Sequence, residues 1–473
     1  MFKNIILNVD SYKASHYLQY PPGTEHVSSY IESRGGAFAH TMFFGLQIFL
    51  KEVLSRPFTA DDIDEAEAFF AGHGEPFNVA GWRGVLEKHN GYLPLKIEAV
   101  PEGMIVPTGN VLVQAINTDR DFPWLTSYIE TALLRAVWYP TTVATLSWMA
   151  KQIIMDGLRN TCDDPEDQIN FKLHDFGARG VSSEESAAIG GCAHLVNFMG
   201  SDTISGVLAA RRYYSEPMAA FSIPAAEHST ITAWESETAA YANMLKQFGG
   251  KGKMLAVVSD SYDITKAVTN IWGGELAAKV RTHGGILVIR PDSGVPEVIV
   301  PEVIRRLAEA FPNTTTNSKG YMVLPPYVRV IQGDGINLDS IARIIAAMKA
   351  RKQSVENISF GMGGGLLQQV NRDTQRFAMK ASAIKVNGEW RDIQKNPATD
   401  PGKKSKAGRL ALRGNLVEGY RTERFVNNFS APNVLVPVFE TGRLLRGYTL
   451  AEVRARAFQD TAALRHRSEM AAE

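Results

Sequence analysis

Met254-Leu255-Ala256-Val257-Val258-Ser259-Asp260-Ser261-Tyr262-Asp263 and, 32 residues later, Ile286-Leu287-Val288-Ile289-Arg290-Pro291-Asp292-Ser293-Gly294 repeat one pattern. Each is a short apolar run that breaks into a polar, turn-forming cluster. Consecutive rather than alternating apolarity predicts strands buried on both faces, as in a parallel sheet or an (α/β) barrel. Similar runs occur at Phe171 to Phe176, Ala219 to Ile223, Val328 to Ile331 and Ile358 to Phe360. The later ones start at 254, 286, 328 and 358, steps of 32, 42 and 30 residues, which is the length of a βα unit. Ligands in such folds bind at the carboxyl ends of the strands, so the residues just after each run are the candidates.

The flanks read differently. The first 160 residues mix extended pieces and helices between Pro-Gly turns. One helix is expected there, capped by Asp121, with Pro123 in its first turn, an apolar stripe from Trp124 to Val137, and an end before Pro140. Beyond about residue 380 a basic stretch, Lys395 to Arg409, precedes extended segments and a helix from Leu450. These shifts predict a mixed α+β domain over 1–164, a barrel over 165–380, and a segment over 381–473 that packs back on the first domain. The fold class expected is an α/β barrel-like domain with a mixed, β-rich domain built from the N- and C-terminal segments.

Composition narrows the function. Among 473 residues, 50 basic side chains balance 50 acidic ones, leaving no overall field to gather a polyanion, so nucleic acid is not expected as a partner. Cys162 and Cys192 are too few for a disulfide framework and fit a reducing cytoplasm. No apolar run is long enough for a membrane helix, and the first ten residues, interrupted by Asn4 and Asn8, lack the apolar core of a signal sequence, so no membrane is expected.

At the strand ends, Gly333-Asp334-Gly335 and Gly361-Met362-Gly363-Gly364-Gly365 would let backbone amides approach an anion closely. Neither fits the Walker or dinucleotide fingerprint. Asp263 and Asp292 suit ribose hydroxyls or, directly or through water, a Mg²⁺ bridging phosphates, although an aspartate there also caps a helix. Arg179, Arg290, Arg329 and Arg372 can present guanidinium forks to phosphate oxygens. His228, beside Glu227 near a helix start, suits a general base, a phosphate contact or a phosphoryl acceptor. Together these residues point to a sugar phosphate or pyrophosphate bound with Mg²⁺, without naming the reaction.

Longer blocks carry a resemblance. They include Asp10-Ser11-Tyr12-Lys13, Lys172-Leu173-His174-Asp175-Phe176-Gly177, Pro224-Ala225-Ala226-Glu227-His228-Ser229-Thr230, Val257 to Asp263, Ile289 to Gly294 and Arg329 to Gly335. In order and along the whole chain, they closely resemble the nicotinamide phosphoribosyltransferase family, which makes nicotinamide mononucleotide from nicotinamide and phosphoribosyl pyrophosphate. The resemblance implies a type II phosphoribosyltransferase barrel and a homodimer with shared active sites. It implies that Phe176 and Tyr12 of the partner subunit sandwich the pyridine ring, that Asp202 accepts the amide NH₂ and repels the carboxylate of nicotinic acid, and that Ser259 and Arg290 complete that pocket. Asp263 and Asp292 would hold ribose and Mg²⁺, and Gly333, Gly363 and Gly364 the 5′-phosphate. Asp10, Arg34, Arg179, Ser222, Arg329, Asp334, Arg372, Lys380, Lys395 and Lys403 would line the phosphoribosyl and pyrophosphate sites. His228 would be phosphorylated by ATP, coupling hydrolysis to synthesis, and the adjacent Glu227 is either an orienting partner for the imidazole or an ordinary first-turn carboxylate.

Met362 and Ala378 stand where the family leads one to expect small hydroxyl-bearing residues. Asp202 argues against the neighbouring nicotinate and quinolinate enzymes, and no Schiff-base lysine or metal-ligand set favours a barrel aldolase or isomerase. A binding protein on the same scaffold has little use for His228, Asp202, Asp263 and Asp292 together.

Overall fold

The structure, a computed structural model, describes residues 4–399, 404–425 and 432–470. The chain divides into two units, one made of Met1–Thr145, Arg212–Glu216 and Asn371–Glu473, the other of Leu146–Arg211 and Pro217–Val370. The division falls inside a single 32-residue helix, Glu130–Thr161, rather than at the 164/165 boundary suggested by composition. That helix also runs through Pro140 instead of ending before it. Proline removes one backbone donor, and local hydroxyls add bonds around the gap: Thr142 Oγ1 donates to the Trp138 carbonyl at 2.6 Å and Thr145 Oγ1 to that of Thr141 at 2.6 Å.

The second unit is the barrel. Its strands are β1 (Leu173–Asp175), β2 (Gly200–Ser201), β3 (Met254–Val258), β4 (Ile286–Arg290), β5 (Val328–Gln332) and β6 (Ile358–Met362). They form one sheet in the order β2-β1-β6-β5-β4-β3, every pair parallel. The two outer strands are joined by a rung that the sequence suggested as a strand over Ala219 to Ile223. Phe221 bridges to Gly200 and Ala225 to Ala256, both parallel, with Ser201 N donating to Phe221 O at 3.3 Å and Ala226 N to Ala256 O at 2.9 Å. The sheet therefore closes on itself.

Alternate side chains divide inside from outside. Leu255, Val257, Leu287, Ile289 and Val330 are fully buried, and Ala256, Val288 and Ile331 form a separate small cluster with Phe176, Ile223 and Ile286. The helices bring matching faces: Val300, Val303, Ile304 and Leu307 on Pro296–Ala310, and Ile341, Ile344, Ile345 and Met348 on Leu338–Ala350. A boxed cap by Asn337 and Ser340 starts the latter.

The first unit contains a seven-stranded antiparallel sheet. Its order is Glu389–Asp392, Phe377–Val386, Thr24–Ser33, Val111–Asn117, Leu95–Ala99, Val436–Glu440 and Arg443–Leu444, so N- and C-terminal segments interleave. Trp82, Phe70 and Tyr128 help form its core with Tyr30, Ile97, Val113 and Phe439. Arg212–Glu216 belongs to this unit although the residues on either side belong to the other. Tyr214 is fully buried, stacks on Phe44 at 4.9 Å, and donates its hydroxyl to Glu102 at 2.6 Å. The Tyr213 carbonyl accepts from Gln47 at 2.7 Å and Lys51 at 2.5 Å. Burial pushes the Glu102 carboxyl above the usual range, against the pull of the Tyr214 hydroxyl and the Gln47 amide.

Tyr214→Ala is expected to cost about 3–5 kcal/mol of stability, and Tyr214→Phe, which removes only the hydroxyl donor to Glu102 and leaves its bond from the Gln47 amide, about 1–3 kcal/mol. Denaturant midpoints measure both, and equal losses would mean that packing of the ring contributes nothing.

Candidate active site

Because every barrel strand runs the same way, their carboxyl ends form one rim. Asp175, Ser201, Val258, Arg290, Gln332 and Met362 end the strands, so Phe176, Asp202, Ser259 to Asp263, Asp292, Gly333 and Gly363 follow on that rim. Phe176 is its floor. A Cβ on Gly361 would lie 1.9 Å from the Phe176 ring and one on Gly333 3.3 Å from it, so the ring lies directly over two glycines. Its own N–H donates to Met362 O at 2.9 Å. Gly363 and Gly364 start a short turn of helix, with Gly363 close to the Phe176 carbonyl.

Asp202 follows the two-residue β2. Its N–H donates to Asp175 O at 3.0 Å, and the Ser222 hydroxyl donates to its carboxylate. Its side chain is exposed and its charge opposes the effect of burial, which lowers the His174 pKa. Asp175 itself is buried, takes the Gly177 N–H at 2.7 Å, and is pushed up to about 6, first by burial. Ser259 is turned inward: its hydroxyl donates to Val257 O and accepts from Trp272 Nε1, each at 3.0 Å.

A third group centres on Asp260, which sequence reasoning passed over. Its side chain is 3% exposed; Oδ1 meets His228 Nε2 at 3.1 Å, and Oδ2 accepts from Asp292 N at 2.9 Å and Ser293 Oγ at 2.5 Å. Asp260, rather than Glu227, holds the imidazole, since Glu227 caps its own helix and takes the Ser229 hydroxyl. The signal was present, because Asp260 lies within a strand-end cluster, but its partner is 32 residues away. Asp292 lies 3.7 Å from Arg290. Its carboxyl is raised, first by burial and then by Asp260 and Asp334, against the opposing charges of Arg290 and His228.

Other expected residues are dispersed. Asp263 caps a helix, with Oδ1 accepting from Thr265 and Lys266 at 2.9 and 3.1 Å. Arg179 is exposed, in the turn Ala178–Gly180, and Gly180 lies close to Gly364. Asp334 is exposed, and its carbonyl takes Gln332 Nε2 at 2.9 Å. Arg329, expected among the phosphate ligands, instead comes second in β5, and its Nη1 donates to Pro325 O at 2.8 Å and Val328 O at 2.7 Å. These carbonyls lie at the amino end of the strand, opposite the rim, so Arg329 cannot be a phosphate ligand there. Met362 is fully buried, away from the rim surface.

In the first unit, Tyr12 is 54% exposed and Asp10 is fixed by the Thr131 hydroxyl at 2.7 Å. Arg34 pairs with Glu32 at 2.9 Å, and Arg372 with its neighbour Asp373. Burial lowers the Lys380 pKa, and the charges of Arg34, Lys13 and Lys395 lower it further against Glu130, so these cations crowd one area. Ala378 pairs with Glu32 in the sheet. Lys403 lies outside the described residues.

The donor set fits a magnesium ion held mainly by phosphate and water. Asp292, raised by burial and then by Asp260 and Asp334, would be relieved by a cation, whereas no group of three or more His, Cys, Asp or Glu forms a metal cage among the described residues.

Residues 171–433 match the model of the nicotinate phosphoribosyltransferase family, and residues 4–97 match the N-terminal domain of nicotinamide phosphoribosyltransferase. Fold and rim thus define a phosphoribosyltransferase of the barrel type, a pentosyltransferase. The nicotinamide phosphoribosyltransferase of Xanthomonas campestris pv. campestris is 54% identical over 96% of this chain and 98% of that protein. The Acinetobacter baylyi nicotinamide phosphoribosyltransferase is 31% identical over 95% and 96%. The chain belongs to the nicotinamide phosphoribosyltransferase family. Among solved structures, nicotinate-nucleotide pyrophosphorylase from Pyrococcus furiosus shares the fold at TM-score 0.63 and 15% identity, covering 98% of this chain and 97% of that one. Human nicotinic acid phosphoribosyltransferase does so at TM-score 0.58 and 17% identity, covering 96% and 93%.

Gly361→Ala is expected to push the Phe176 ring from its seat and to cost about 1–3 kcal/mol, read as a lower Tm. An unchanged Tm would show that the ring is not confined.

Proposed function

We propose that the protein transfers the phosphoribosyl group of phosphoribosyl pyrophosphate to nicotinamide, giving nicotinamide mononucleotide and pyrophosphate in NAD salvage. One observation carries this reading: an exposed carboxylate, Asp202, is fixed to the backbone beside an aromatic floor, Phe176, on a single rim. A carboxylate accepts the two N–H groups of a neutral amide and repels an acid, which gives selectivity for nicotinamide. Stacking on Phe176, with Tyr12 of the partner subunit on the other face in a homodimer, positions the ring. The exposure of Tyr12 supports that role. Ser259, with its hydroxyl already paired, supports the pocket from beneath.

The C1′–oxygen bond of the sugar breaks, with its electrons leaving on pyrophosphate, and the pyridine nitrogen bonds C1′ from the opposite face. That nitrogen has no proton to lose, so no general base is needed. What the site supplies is charge: Asp263 and Asp292 toward ribose and a magnesium ion, Arg290 beside Asp292, and backbone at Gly333, Gly363 and Gly364 toward the 5′-phosphate. Arg179, with a basic set partly drawn from the second subunit and comprising Arg34, Arg372, Lys380, Lys395 and Lys403, would hold the growing anion. Asp10, Ser222 and Asp334 would keep these groups in place. Magnesium, when bound, neutralises the leaving pyrophosphate.

The His228–Asp260 pair supports coupling to ATP. Nε2 is engaged by Asp260, which leaves the lone pair on Nδ1. There the γ-phosphoryl is accepted as its bond to ADP breaks, and water later takes it from nitrogen. The cytoplasm, where buried Cys162 and Cys192 stay reduced, is the compartment this chemistry suits.

With phosphoribosyl pyrophosphate and Mg²⁺, mononucleotide is expected from nicotinamide and not from nicotinic acid, and Asp202→Asn should narrow that preference by about tenfold or more. Turnover of nicotinic acid in preference to nicotinamide would overturn the reading. Chelation of magnesium should abolish turnover. Asp260→Asn and His228→Ala should each remove stimulation by ATP while slower, ATP-independent synthesis persists; stimulation that survives both would exclude a phosphohistidine.

A further inference from the structure

The carboxylate that reads the amide stands on the weakest rung of the barrel. β2 is two residues long, and it is held by β1 on one side and by the single Phe221 bridge on the other. Gly200 in that rung lies between two imidazoles. On one side, a Cβ on Gly200 would meet the His174 ring at 2.7 Å, so the rung presses directly on it. The other is His194, the last residue of the helix Glu184–His194, fully buried with Nε2 at 3.3 Å from the Gly200 carbonyl oxygen.

The protonation of His194 follows from its partners. A carbonyl only accepts, so Nε2 carries the proton, and Nδ1 accepts from the Ser147 hydroxyl at 2.9 Å. Burial, its largest cause, pushes the His194 pKa down to about 3, so the ring is neutral throughout the working range. The ring is also fixed by a stack on Phe198, at 5.3 Å and 18°, and Lys151 lies over that same Phe198 while donating to Asn197 O at 2.5 Å. The turn that feeds β2 is therefore clamped from outside the barrel. Two residues beyond Gly200, Asp202 donates its N–H to Asp175 O, accepts from Ile204 N at 3.1 Å through its carbonyl, and takes the Ser222 hydroxyl on its carboxylate.

We infer that His194 is a positioning residue for nicotinamide recognition: through the Gly200 carbonyl it sets the depth at which Asp202 meets the amide. This rests on the reading of Asp202 given above. His194 touches no reacting atom, and its effect is on the geometry of the pocket, where small displacements are costly to recognition.

The test compares three variants with the full-length wild type, using nicotinamide, nicotinic acid and phosphoribosyl pyrophosphate as substrates. His194→Phe keeps the ring and its stack but lacks the donor. It is expected to raise the KM for nicotinamide about tenfold, with the KM for phosphoribosyl pyrophosphate within about twofold of wild type and less discrimination against nicotinic acid. His194→Gln, whose amide can still donate to Gly200, should recover most of that loss. Ser147→Ala leaves the imidazole in place and should shift the nicotinamide KM the same way by a smaller factor, which keeps the inference testable if His194→Phe does not fold. Unchanged nicotinamide KM in both His194→Phe and Ser147→Ala, or equal rises for both substrates, would overturn it. Wild type that fails to use nicotinamide would instead sink the underlying reading.

Discussion

Closure of the barrel depends on backbone contacts at Phe221 and Ala225, the two points where a strand-like rung reaches its neighbours. Without them the parallel sheet would have two open edges, and β2 would lose one of its two supports. With them the parallel sheet closes into a ring, and clusters far apart in sequence come together on one rim. The same rung carries Ser222, which bonds Asp202, and leads directly into Glu227 and His228. Closing the fold and assembling the chemistry are thus one event in the backbone.

Charge is distributed to match. A chain with no net charge keeps carboxylates on the rim, in the set Asp202, Asp260, Asp263, Asp292 and Asp334, and gathers Lys13, Arg34, Lys380 and Lys395 in the other unit. Asp260 gives this arrangement its order, since one nearly buried carboxylate holds an imidazole, a backbone amide and a hydroxyl at once. Such a hub fixes His228 and Asp292 relative to each other, which an exposed pair of the same groups does not achieve.

Much of this was legible in the residues. Apolar runs near 254, 286, 328 and 358 mark four of the six strands because each is buried on both faces, and the polar clusters after them mark the rim. β2 was not legible, because two residues carry no periodicity, whereas the closing rung was read as a run over Ala219 to Ile223 that includes the Phe221 bridge but stops short of the one at Ala225. Pro140 misled because the rule that proline ends a helix is local, whereas a long helix supported by packing and side-chain hydroxyls passes through it. Arg329 misled for a different reason: which end of a strand a residue occupies decides which end of the barrel it faces, and composition does not encode that. Asp260 was not legible as the partner of His228, because the two are 32 residues apart and meet only where two strand ends share the rim.

The anchoring of Tyr213 and Tyr214 bears on how the molecule reaches this state. Residues 212–216 are fixed in one unit, and the segment that completes the barrel of the other comes immediately after them. The order of events on folding is then constrained: the ring cannot be finished by local contacts alone, because its last rung is tethered to a core assembled from both chain ends. High contact order of this kind makes closure slow and late. A gene fragment encoding only the barrel residues would lack that tether, and is for this reason a poor unit for dissection, recombination or domain transplantation.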